Sequence, residues 1–173
     1  MKYIFNIILL TFSLSAFAAG TDDHSHGHDE ENQGDDHHGY SFGSAGKADN
    51  ANRTIEIVMT DNKYNLPSLD VMAGETVHFK IKNVGQQIHE FTIATTDMHI
   101  EHQAEMLNHI SSGHMTMTDK GHGAGHDHAN SLLLNPTEDG ELIWTFAKAD
   151  NLEFACNVPG HYQSGMVGSI TVK

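Results

Sequence analysis

Cys156, His161 and Met166 stand in the order Cys-x4-His-x4-Met, inside the run Cys156-Asn157-Val158-Pro159-Gly160-His161-Tyr162-Gln163-Ser164-Gly165-Met166. A thiolate, an imidazole and a thioether form a soft donor set, and with a second imidazole they select copper used for one-electron chemistry. His89, in Gln87-Ile88-His89-Glu90-Phe91-Thr92-Ile93, lies on an earlier strand-like segment and is the expected second imidazole. The roles that follow are a thiolate from Cys156, neutral imidazole nitrogens from His89 and His161, and a weak axial thioether from Met166. Gln163 and the carbonyl of Ile88 are alternative axial donors. Pro159-Gly160 shapes the turn ahead of His161, while Gly165 and Gly168 let the backbone pass close around Met166.

Cys156 is the only cysteine of the 173 residues, so no internal disulfide can form. A leftover thiol in an exported chain is a buried small apolar residue, an intermolecular partner or a metal ligand. The His and Met spaced behind it favour the ligand.

A second set of donors lies apart from these four. Of the 15 histidines, His24, His26, His28, His37 and His38 sit in an Asp-rich amino-terminal tail, and His99, His102, His109, His114, His122, His126 and His128 follow the strand of His89. Met106, Met115 and Met117 are interspersed with the second group. His-rich tracts bind Cu(II) or Zn, and thioethers favour Cu(I), so these residues are read as auxiliary, weakly binding copper ligands. The competing reading is a solvated tail and a surface loop without special chemistry.

The elements that must position the four central donors are strands. Ile55, Ile57 and Met59 alternate with polar residues, as do Val77, Phe79 and Ile81, then Leu142, Trp144 and Phe146, then Leu152, Phe154 and Cys156. Turn residues such as Asn83-Val84-Gly85 and Glu138-Asp139-Gly140 separate them, which predicts an antiparallel β-sandwich. By the period of two, His89 shares a face with Phe91 and Ile93, and Cys156 with Phe154 and Leu152, so both donors point inward at strand ends. The same parity puts Glu90 and His78 outward, toward solvent. From Asp97 to Ile110 the period becomes helical, with Ile100, Ala104 and Leu107 as the expected buried stripe and Met98, His99, His102, Met106 and His109 opposite. The Gly-rich stretch beyond is a loop.

Met72-Ala73-Gly74-Glu75-Thr76-Val77, His89-Glu90-Phe91 and the run from Phe154-Ala155-Cys156 to Gly165-Met166-Val167-Gly168 together resemble the cupredoxins over roughly residues 51–173. The resemblance implies an all-β, Greek-key β-sandwich with a short helical insertion at about 96–130. It also implies one type 1 copper held by His89, Cys156, His161 and Met166. Within the family the chain looks most similar to periplasmic copper-tolerance cupredoxins. Its ligand loop is longer than that of plastocyanins and more like azurin and rusticyanin. Plastocyanins and azurins usually carry Asn after the first ligand histidine, where this chain has Glu90.

Lys2, the apolar run Ile4 to Phe17 and Ala16-Phe17-Ala18 read as a cleavable signal peptide over residues 1–18, which implies export to the periplasm without membrane insertion. Residues 19–50, rich in Asp and His, are expected to be a disordered tail. The formal charge of −14 makes nucleic acid an improbable partner and leaves copper ions and redox or copper-transfer proteins. Two functions fit: copper homeostasis by binding and redox-cycling copper, and soluble one-electron transfer between redox partners. An enzyme is disfavoured, because four protein donors leave no open position for substrate.

Overall fold

The computed structural model describes residues 39–118 and 128–173; the expected leader lies outside them. Ten strands, β1 to β10, form two five-stranded sheets among these residues. The first sheet runs β1 (Gly43–Ala45), β8 (Asp139–Phe146), β5 (Thr76–Asn83), β2 (Arg53–Thr60), β3 (Lys63–Tyr64). The second runs β4 (Ser68–Val71), β10 (Val167–Val172), β9 (Leu152–Ala155), β6 (His89–Thr95), β7 (Ser131–Leu134). Among the described residues the single helix longer than one turn, α1 (Thr96–Ser111), follows β6 directly, with the Thr95 hydroxyl accepting from the Met98 amide as its N-cap.

The sandwich is as expected, but it is not purely antiparallel. β2 pairs β5 and β4 pairs β10 in parallel. After β3 the chain leaves the first sheet, adds β4 to the second, and returns beside β2 running the same way, which a hairpin cannot do.

The inward faces carry the alternating residues that periodicity picked out. Ile57, Met59, Val77, Phe79, Ile81, Trp144, Phe91, Ile93 and Phe154 are all fully buried. Phe91 bridges the sheets, with ring centroids 5.2 Å from Phe79 and 5.6 Å from Phe154. Gly168 is needed where β10 passes the Phe154 ring, since a Cβ there would come within 2.1 Å of it.

The expected boundary at residue 51 is too late. Phe42 is fully buried, 5.7 Å from the Trp144 ring and stacked 5.0 Å from Tyr40, and β1 pairs β8. Residues 40–46 therefore belong to the sandwich. Their few apolar side chains escaped a composition average dominated by Asp and His.

Two parity readings need correction, each for its own reason. All residues of β6 from His89 to Ala94 are buried, because α1 lies against the outer face of the second sheet. Glu90 is thus 3% exposed and not solvated. His78 is half-buried, with Nε2 2.9 Å from the Glu141 carboxylate on the neighbouring strand. The helix faces are also inverted: Ile100 and Leu107 are exposed, whereas His99 and Met106 are buried.

Candidate metal centre

Three buried side chains converge at one end of the second sheet. His89 opens β6, Cys156 follows the last residue of the neighbouring β9, and His161 sits in the turn that leads into β10. One ring nitrogen of each histidine and the Cys156 Sγ all lie within 4.8 Å of one another, the one such group of His, Cys, Asp and Glu among the described residues. Cys156 Sγ is 3.3 Å from His161 Nδ1, and the two imidazole centroids are 4.9 Å apart.

Backbone bonds hold the loop. The Cys156 amide donates to the Met166 carbonyl at 3.1 Å, and the Met166 amide to the His161 carbonyl at 3.0 Å. Gly160 and Gly165 take φ of 88° and 93°, conformations that favour glycine, and close the turns on either side of His161. Met166 is fully buried beside them. Gln163 is exposed and donates to Gln103, so it is turned out of the cluster. Ile88 is fully buried immediately before His89.

Each imidazole has its far nitrogen occupied. His89 Nε2 lies 3.1 Å from Asp61 Oδ1, and His161 Nε2 lies 2.9 Å from Gln87 Oε1. His89 Nδ1 is buried without any partner. An orphaned imidazole nitrogen facing no protein group, within reach of a thiol and a second imidazole, is what a metal would satisfy. The donor chemistry, two nitrogens and one sulfur, fits copper.

The electrostatics of the cluster follow from burial. Desolvation pushes the Cys156 thiol up to about 12 and lowers His161 to about 4, with the neighbouring His89 adding to the latter. His89 is also lowered by burial, against the opposing pull of Asp61. At neutral pH both imidazoles are therefore neutral and ready to donate, whereas the thiol must lose a proton to ligate. The Glu90 amide donates to Cys156 Sγ at 3.3 Å and favours that thiolate.

A family model described as a cupredoxin-like domain matches residues 39–121. The copper-resistant cuproprotein CopI of Pseudomonas aeruginosa is 45% identical over 153 residues, which cover 79% of this chain and 84% of that protein. The chain belongs to the CopI family of cupredoxins. A second CopI, from Rubrivivax gelatinosus, is 35% identical over 133 residues, covering 76% of this chain and 73% of the relative. Among solved structures, the auracyanin of Roseiflexus castenholzii superposes with a TM-score of 0.55 at 24% identity, over 71% of this chain and 98% of its own. An azurin from Methylomonas sp. strain J does so at 0.53 with 14% identity, over 71% and 99%. These two likenesses concern the fold alone.

Among the described residues of this CopI-family chain the auxiliary donors fall in several places. His99 is fully buried, its Nδ1 3.1 Å from Asn157 Oδ1, and His102 Nε2 lies 2.9 Å from Glu90 Oε1. Met106 and Met115 are core residues and Met117 packs against the core. His109 and His114 approach each other at the end of α1, with centroids 6.1 Å apart, and His128 lies 5.9 Å from His102. His24, His26, His28, His37, His38, His122 and His126 lie outside the described residues. Sequence reasoning missed Asp61, Gln87 and Asn157. For Asn157, adjacency to Cys156 was the available signal; Asp61, 28 residues from His89, offered none.

Proposed function

We propose that this chain holds one type 1 copper through His89, Cys156 and His161, with Met166 as the axial donor, and serves copper tolerance in the periplasm by binding and redox-cycling copper. The observation that carries this reading is the orphaned His89 Nδ1 in a buried cluster with Cys156 and His161. The copper-resistant relatives and the expected signal peptide supply the biological context. Bound copper would supply one-electron chemistry. The chain's own residues do the rest: Asp61 and Gln87 fix the imidazole orientations, the loop hydrogen bonds fix Cys156 against His161, and burial excludes water. A cluster held this firmly before metal arrives has little to rearrange when an electron moves. Four protein donors leave no position for a substrate, which favours a binding protein over an enzyme. Additional copper would bind weakly at His109, His114, His128 and the histidines of the tail and loop.

The alternative, a soluble one-electron carrier, needs the same centre but no further donors. Growth of a deletion strain across a copper series, complemented with wild type or Cys156→Ala, separates the two. Copper sensitivity rescued by wild type alone supports tolerance. Normal tolerance of the deletion strain, with a respiratory or photosynthetic defect, would make the chain a carrier.

A further inference from the structure

The antiparallel register of β6 and β9 ends at Thr92 opposite Ala155. Two residues further along, Glu90 and Asn157 would face each other, each the chain neighbour of a central donor. The backbone ladder does not continue there. Instead the Glu90 carboxylate takes over, accepting from the Asn157 amide at 3.3 Å and from Asn157 Nδ2 at 2.8 Å on one oxygen. Its other oxygen accepts from Ser131 Oγ at 2.9 Å and from His102 Nε2 at 2.9 Å. All four acceptor sites of the carboxylate are thereby used. From the same helix His99 holds the Asn157 side-chain oxygen, and the Tyr64 hydroxyl donates to the Glu90 carbonyl.

We propose that Glu90 and His102 are positioning residues of the copper centre: a buried ion pair through which helix α1 clamps Asn157, and with it Cys156, against the strand of His89. The inference rests on the copper reading above and deepens it. It also reassigns His99 and His102, which the sequence offers as auxiliary copper ligands, to holding the centre's outer wall.

Two physical arguments support the assignment. A buried carboxylate is strongly unfavourable unless paired and hydrogen-bonded, so a chain that keeps Glu at this position must supply a cation, and His102 is the cationic group bonded to it. Burial alone would lower the His102 pKa, but the Glu90 hydrogen bond and charge, with help from Glu105, raise it to about 9. Second, the inward turn of the histidine stripe of α1 leaves Ile100 and Leu107 in solvent. Hydrophobic burial alone would have chosen the opposite face.

The test uses the copper-loaded protein and reads its reduction potential, together with amide hydrogen exchange of Asn157 in the copper-free protein. Glu90→Gln removes a buried anion next to the centre, so the potential should shift upward and Asn157 exchange should quicken at least about tenfold. His102→Gln keeps a hydrogen-bond donor but removes the cation, so the potential should shift downward, and the double variant should lie between the two. His102→Lys, which retains a cation, should return the potential toward wild type and keeps the test decisive if Glu90→Gln does not fold. Unchanged potentials with unchanged Asn157 exchange, shifts of the same sign in both single variants, or a His102→Lys protein that behaves like His102→Gln would overturn the proposal. A wild-type protein without a thiolate-to-copper band would instead sink the copper reading, and the exchange measurement would still decide the clamp.

Discussion

His89 Nε2 lies 3.1 Å from Asp61 Oδ1, a pairing that leaves Nδ1 buried, unpartnered and committed to the cluster. The contact depends on Gly85, where a Cβ would come within 2.4 Å of Asp61 Oδ1 and 2.8 Å of His89 Nε2. Asp61 also accepts from the amides of Gln86 and Gln87, so it fixes the turn that carries Gln87 to His161.

Asp61→Ala should therefore lower copper affinity about 10- to 100-fold, the usual cost of removing a group that orients a metal-bound histidine. Gly85→Ala should do the same without touching a donor. Competition titrations against a chelator of known affinity measure both, and wild-type affinity in the two variants would count against the orienting role.

Copper uptake should release a proton. With the Cys156 thiol pushed up to about 12 and His161 down to about 4, the thiol is the one central donor that is protonated at neutral pH. Calorimetry in buffers of different ionisation enthalpy should give close to one proton per copper bound at the coloured site, and affinity should rise about tenfold per pH unit. Zero proton release would mean that Cys156 does not ligate.

The Glu90 and His102 pair should leave a mark on stability. His102 is raised from its ordinary 6.5 to about 9, so its contribution is full below 6.5 and is lost as pH rises through about 9. Burial opposes ionisation of Glu90, but its hydrogen bonds to His102, Asn157 and Ser131 hold it below its ordinary value, so its contribution is present above that value and is lost at lower pH. Copper-free wild type should exceed His102→Gln by about 3 kcal/mol near pH 6, and the gap should close by about pH 10. Denaturant unfolding at a series of pH values gives the difference; a gap independent of pH would contradict the pairing.

The position of Phe42 decides where a deletion of the tail can end. Removing residues 19–38 should lower the number of copper ions bound while leaving the coloured site and the stability unchanged, as metal analysis and thermal unfolding would show. Extending the deletion through Phe42 should cost about 3–5 kcal/mol, because that buried ring packs on Trp144. Unchanged stoichiometry in the shorter deletion would return the tail histidines to plain solvated residues.

The convergence of His89, Cys156 and His161 was legible because the signal is local: Cys156 and His161 lie in one loop, and the inward aim of His89 follows from strand parity. The period-two segments likewise gave the core strands, since Ile57, Phe79, Phe91, Trp144 and Phe154 are buried as alternation requires. Parity assigned Glu90 to the correct face. It could not show that a helix covers that face, because burial of an outer strand face is a tertiary fact. The same gap inverted the helix, where Leu107 reads as core but is exposed, while His102 reaches the buried Glu90 carboxylate. Parallel pairing of β2 with β5 was hidden for a related reason: alternation reports which side of a strand is buried and carries nothing about its direction.

The most direct measurement is the visible spectrum of the full chain loaded with Cu(II), for wild type and Cys156→Ala. The account predicts an intense thiolate-to-copper charge-transfer band in the wild type that is absent from the variant. A colourless wild-type protein, or a band that survives loss of Cys156, would contradict it.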